Sequence, residues 1–189
     1  MRVISGTARG RKLKKVPGDS TRPIMDRVKE SLFNILRDET ADLRWLDLFA
    51  GTGQVGIEAL SRGAAEVVFI DTVQAAIRTI EANLNHTKLA KNGTVIRSDA
   101  FAYLKRGGSS PKGRRPFDLI YVAPPQYQRL WVQAIQQIDQ KSSNLLTETG
   151  IVVVQINPKE SEELPLENLT IYDQRKYGNT LLIFFEQNN

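Results

Sequence analysis

The chain has 189 residues, enough for one domain with a full core, and its 41% hydrophobic content is that of a globular protein. It has no cysteine and a single histidine, His86, so disulfides and thiolate metal sites are excluded and no metal is expected. Net charge is +5. Residues 1–18 carry six of the basic side chains (Arg2, Arg9, Arg11, Lys12, Lys14 and Lys15) and no acid, so the remainder sums to about −1. A second basic cluster, Lys105, Arg106, Lys112, Arg114 and Arg115, flanks a glycine- and serine-rich stretch. Two patches on a near-neutral body suggest a polyanionic partner, although a charge run can also be merely solvated. The longest apolar runs, 151–154 and 181–185, cannot span a bilayer, and residues 1–6 lack a secretory apolar core. No membrane partner is expected, and the setting should be cytoplasmic.

In chain order, residues 1–16 read as two short strands around a glycine-containing loop, a basic β-hairpin ended by Pro17-Gly18. Pro23 suits the first turn of a helix running from Ile24 to about Arg37, with Asp26 well placed for its dipole and Val28, Leu32, Ile35 and Leu36 on one face. Strands are expected near 44–48, 66–70, 94–97, 117–122 and 150–156, with helices near 54–62, 73–85, 99–105 and 128–140. Two antiparallel strands around Tyr177-Gly178-Asn179 close the chain, and 107–115 reads as a loop. This alternation specifies an α/β fold: a Rossmann-like, doubly wound, mostly parallel sheet with an antiparallel C-terminal edge. One domain over 1–189 is expected, with 1–22 as a basic hairpin extension and 23–189 as a helix plus the α/β core.

Residues 45–56 read W-L-D-L-F-A-G-T-G-Q-V-G. An apolar strand passes into a glycine turn and a helix start, where Gly51 and Gly53 allow a ligand close to the backbone. Gly51, Gly53 and Gly56 also spell G-x-G-x-x-G, and Asp71 follows Gly51 by twenty residues, the spacing of a dinucleotide fingerprint. Asp47 within the strand argues against a nicotinamide cofactor, because a pyrophosphate gains nothing from a nearby negative charge. S-adenosylmethionine, with its sulfonium and ammonium groups, gains from it. Asp99, after the third strand, is placed for an adenine amino group. Asp71 and Asp99 each also precede a helical pattern, where a carboxylate can serve as a cap, and Asp47 alone could be a strand-end carboxylate bound to backbone N–H groups. The fourth strand runs into Ala123-Pro124-Pro125-Gln126-Tyr127, whose prolines fix where the preceding carbonyls point.

The segments R-V-I-S-G-T-A-R-G-R-K-L, T-R-P-I-M-D-R-V-K-E-S-L-F-N-I-L, L-D-L-F-A-G-T-G, I-E-A-L-S-R-G-A and K-Y-G-N-T-L-L carry a more specific reading. On them the chain resembles, over its whole length, the bacterial small-subunit ribosomal RNA guanine-N2 methyltransferases. The resemblance implies a Rossmann-like S-adenosylmethionine-dependent enzyme that methylates one guanine amine of 16S rRNA in a partly assembled subunit; a monomer is expected. Asp47, Phe49, Ala50, Gly51 and Gly53 would then line the methionine end of the cofactor. Asp71 and Thr72 would meet the ribose, and Asp99 and Ala100 the adenine. Arg9, Arg11, Lys12, Arg22 and Arg27 would contact RNA. The family motif is an acid or amide, two prolines and an aromatic. Ala123, Pro124, Pro125 and Tyr127 are its counterparts here, with an alanine first and the aromatic one place late. The departure keeps open a second expectation, a catalytically impaired S-adenosylmethionine-binding protein of rRNA or ribosome assembly.

Overall fold

The structure of the protein, a computed structural model, describes residues 1–18, 24–36, 40–108 and 115–188. Its centre is β1 (Arg44–Asp47), a four-residue strand buried along its whole length. β1 pairs in parallel with β2 (Glu66–Asp71) on one side and β4 (Phe117–Val122) on the other. β3 (Gly93–Arg97) lies outside β2, and β5 (Leu146–Ile156) outside β4, both parallel. β7 (Thr180–Gln187) then runs antiparallel to β5, with β6 (Leu169–Tyr177) at the edge, giving the order β3-β2-β1-β4-β5-β7-β6. Strand order reverses between β1 and β4, the point where ligands enter open α/β sheets.

The strands separate the core into two layers because successive side chains point to opposite faces. Trp45, Val67, Phe69, Leu119, Tyr121 and Val153 pack on one face. There they meet α1 (Asp26–Leu36), α2 (Gln54–Ser61) and α3 (Gln74–Thr87). Phe33 of α1 stacks on Trp45 at 5.6 Å between centroids. Leu46, Val68, Ile120, Val152 and Val154 face the other way, toward α4 (Ala100–Lys105) and α5 (Leu130–Asp139). Gly56 lets α2 sit tight on the sheet, since a Cβ there would lie 2.3 Å from the Phe69 ring.

The alternation of elements follows the sequence reading, with three differences of detail. The N-terminal hairpin forms but is minimal, its arms joined by Val3 N–H to the Arg11 carbonyl at 3.0 Å and Leu13 N–H to the Met1 carbonyl at 3.3 Å. Among the described residues its strand pairing is one bridge, Arg2 with Lys12. The N–H groups of Ile4 and Ser5 go instead to the two carboxylate oxygens of Glu58 on α2, at 2.8 and 2.9 Å. α1 begins at Asp26 rather than Ile24; Pro23 and Arg37 lie outside the described residues. β5 begins four residues early, at Leu146, after a short helix α6 (Ser142–Leu145), because the polar run Thr147-Glu148-Thr149 hides a strand that bulges against β4. Most of the expected 107–115 loop lies outside the described residues.

Candidate active site

A cavity of about 500 Å³ opens at the carboxyl ends of β1, β2, β4 and β5. Asp47 ends β1 and lines it, with its carboxylate buried. Burial pushes its pKa up to about 7; the Gly56 backbone N–H works against this, and the nearby Asp71 charge adds to it. No ion pair is formed by Asp47 among the described residues. A pyrophosphate here would face that carboxylate, which disfavours the nicotinamide alternative.

The glycine turn forms one wall. Gly51 and Gly53 hold φ of 54° and 73°, a left-handed conformation that glycine adopts without steric cost. The Gly51 N–H donates to Asp71 Oδ2 at 2.9 Å, and Val73 N–H donates to Asp71 Oδ1 at 2.9 Å. Each oxygen keeps lone-pair capacity, so Asp71 can hold the turn and still accept from a ligand. Asp71, Thr72, Ala50 and Gly51 line the cavity; Gly53 shapes the turn without lining it. Gln54 lines it too, and its Oε1 is buried with no hydrogen-bond partner among the described residues.

Asp99 also lines the cavity and caps α4, accepting from Ala102 N–H at 2.8 Å. The capping alternative therefore holds for Asp99, through Oδ1. Asp71 makes an Asx turn instead, since the cap position of α3 is Val73, with no side-chain bond. Ala100 and Phe101 complete this end, and Phe49 meets Phe101 edge-on at 6.2 Å.

The post-β4 segment supplies the remaining wall. Ala123, Pro124, Pro125 and Gln126 line the cavity. Tyr127 does not line it, and this corrects its expected place. Its backbone turns left-handed at φ 61°, its N–H donates to Glu160 Oε1 at 2.6 Å, and the residue is 64% exposed. Met25 and Val73 are likewise exposed; Val73 lines the cavity, and Met25 is next in sequence to the cavity residue Ile24. Among the cavity residues that escape the sequence reading are Gln54, Tyr121 and Gln155, the last two joined by a 2.6 Å hydrogen bond from the tyrosine hydroxyl to Gln155 Oε1. Tyr121 is findable in principle, being two residues before Ala123 in a strand and so on the same face.

Arg9 and Lys12 are exposed, as are Lys14 and Lys15, and the segment leads straight to Val16 at the cavity wall. Arg11 differs from its neighbours, because its guanidinium is held by the His86 carbonyl near the end of α3. Arg27 is exposed on α1, and Arg22 lies outside the described residues. In the second cluster, Arg115 pairs with Glu66 at 2.9 Å and Arg106 donates to Ser98 Oγ, so those two side chains have structural work.

Residues 1–186 match the family described as Conserved hypothetical protein 95. The chain belongs to this family. A candidate rRNA methyltransferase of Bacillus subtilis, YlbH, is 36% identical over 187 residues, covering 99% of each chain. Ribosomal RNA small subunit methyltransferase D of Haemophilus influenzae is 32% identical over 179 residues, 94% of this chain and 89% of its own. Among solved structures, yhhF of Escherichia coli, a candidate methyltransferase, superimposes with a TM-score of 0.83 at 31% identity, covering 100% of this chain and 98% of its own. The family resemblance read from sequence therefore holds, and so does the fold: a Rossmann-like, mostly parallel sheet with an antiparallel edge. No described helix is long and apolar enough to cross a membrane.

Proposed function

We propose that the protein is an S-adenosylmethionine-dependent methyltransferase acting on the exocyclic N2 amine of a guanine in small-subunit ribosomal RNA. The observation that carries the reading is Asp47, a buried carboxylate with no cationic partner among the described residues, at the wall of a ligand-sized cavity.

The residues present fit that cofactor. Asp47 would neutralise the ammonium of its methionine part, and the unpartnered Gln54 Oε1 is a second acceptor for a donor group. Asp71 would take the ribose hydroxyls with Thr72 alongside, and the second oxygen of Asp99 the adenine amine above Ala100. The cofactor supplies a methyl group on a positively charged sulphur.

What the chain itself must do is align a weak nucleophile. The guanine amine is poor because its lone pair is delocalised into the ring. Pro124 and Pro125 have no N–H and hold the strand exit extended, so main-chain carbonyls of this segment are the acceptors for the amine hydrogens. Ala123 adds no side-chain acceptor. Positioning alone can supply roughly 7–11 kcal/mol, so the reaction rests on orientation rather than on a general base. The basic segment from Arg9 to Lys15 would grip phosphates and deliver the base to the cavity mouth.

Immature small subunits lacking the modification, incubated with methyl-labelled S-adenosylmethionine, test the reading. Label recovered as N2-methylguanosine with wild type, and none with Asp71→Ala, is expected. No label with wild type sinks it. A second reading, an rRNA-binding assembly protein that retains the cofactor cavity without turnover, is favoured by Ala123. Under that reading Ala123→Asp gains an activity the wild type lacks; equal activity in both forms rejects it.

A further inference from the structure

Ala123 follows the last residue of β4, and Val122 at that end pairs with Val154 of β5. The next rung of the ladder therefore sets Ala123 beside Gln155, and both line the cavity. Where Ala123 offers only a methyl group, its neighbour on β5 offers a carboxamide. Its orientation is set by Tyr121. The hydroxyl lies 2.6 Å from Gln155 Oε1, a separation in the O–H···O range and short for N–H···O. Burial keeps the Tyr121 hydroxyl protonated, well above the ordinary tyrosine range, so it is a donor at any working pH. With Oε1 committed, Nε2 is the free end of the amide. No protein acceptor takes it among the described residues.

We infer that Gln155 is a specificity-determining residue, presenting an N–H donor to a ring acceptor beside the reacting amine, with Tyr121 as the positioning residue that fixes the amide. In guanine that acceptor is N3, adjacent to the carbon bearing the N2 amine. The inference rests on the proposed function and assigns how the target base is held in its cavity. A donor to N3 and carbonyl acceptors for the amine fix two points of one planar edge. Such a site supplies from β5 the orientation that Ala123 does not supply from β4.

The test separates a donor from a space-filling group. Gln155→Glu keeps the volume and keeps an acceptor for Tyr121 but removes the N–H. Wild type, Q155E, Q155A and Y121F are compared for kcat/KM on immature subunits, cofactor Kd and thermal midpoint. Q155A and Q155E are expected to lose about ten- to a hundred-fold in kcat/KM, with the Q155A cofactor Kd unchanged. Y121F loses less, and adding it to Q155A costs nothing more, because the two residues act as one unit. Wild-type or higher turnover by Q155E overturns the inference, as does a Q155A loss confined to cofactor Kd. Absence of turnover in the wild type overturns the proposed function and this inference with it, and the wild-type lane alone tells the two failures apart.

Discussion

Lys29 Nζ lies 3.0 Å from Glu58 Oε2, and neither side chain is exposed. The pair is the hub of a small network. Lys29 also donates to the Arg2 carbonyl, while Glu58 accepts from the backbone of Ile4 and Ser5 and from Arg62 Nε at 2.9 Å. One carboxylate thus binds α1, α2 and the N-terminal segment together. Glu58→Gln leaves a buried ammonium without its counter-charge and should cost about 3–5 kcal/mol. Lys29→Met should cost less, because three N–H donors still satisfy Glu58. Urea unfolding at pH 7 measures both; equal losses would mean that the carboxylate's other hydrogen bonds add nothing beyond the ion pair.

Docking of the basic segment depends on Gly6. Its φ is 79°, and a Cβ would fall 1.7 Å from the Ser61 carbonyl oxygen, which also accepts from Thr7 N–H at 2.8 Å. Gly6→Ala should therefore lift the segment from α2 and weaken RNA binding while leaving the cofactor cavity intact. Charge reversal at Arg9 and Lys12 should weaken RNA binding with no loss of fold. The slope of log affinity against log salt should become shallower by about one for each phosphate that is no longer neutralised. Filter binding across a salt series reads both. Arg11 reversal should instead lower stability as well, since that guanidinium is bound to the His86 carbonyl.

Glu58 and Gly6 also mark where sequence reading stops. β1 and its glycine turn are legible because a fully buried strand ending in an acid leaves few alternatives, and the βα alternation follows from periodicity. The docking of the N-terminal hairpin is not legible, because the Ile4 and Ser5 N–H groups find their partner in the carboxylate of Glu58, more than fifty residues away. Nothing local distinguishes Glu58, in I-E-A-L, from an exposed helix residue. Gln155 is hidden for a related reason: V-V-V-Q-I reads as core strand, and only the β4–β5 register sets it beside Ala123. Tyr127 is expected at the site as the counterpart of the family motif's aromatic, but its backbone there is left-handed and it does not line the cavity.

Asp47 makes cofactor binding pH-dependent with a definite sign. Its folded-state pKa is raised from 3.8 to about 7, so the folded, ligand-free protein binds the proton more tightly than the unfolded chain. The stability this confers is complete below about pH 4 and is lost as pH rises through 7. Asp47→Asn should accordingly gain stability over wild type as pH rises from 5 to 8. A cationic ligand needs the carboxylate charged, so affinity for S-adenosylmethionine should rise toward pH 7, by up to roughly tenfold per pH unit. Calorimetry at pH 6 in two buffers of different ionisation enthalpy should show proton release. Asp47→Asn should lose that release and bind about 1.5–3 kcal/mol more weakly. Identical heats in both buffers for wild type would place the partner of the ligand's charge elsewhere.

The rim loop is held against its own backbone preference. Tyr127 and Arg129 both sit at positive φ, 61° and 53°. Glu160 accepts the Tyr127 N–H, and Glu162 takes Arg129 through two bonds of 3.0 and 2.8 Å. Tyr127 is left 64% exposed in this clamp. Under the proposed function its exposed ring would stack on an unpaired base, worth about 1–3 kcal/mol for each aromatic–base pair. Tyr127→Asn separates the two contributions, because asparagine tolerates the left-handed conformation and lacks the ring. It should leave the thermal midpoint and cofactor affinity unchanged and weaken RNA binding by that amount. Unchanged RNA affinity would make the ring a bystander and leave the loop's strain to serve the placement of Pro124 and Pro125 alone.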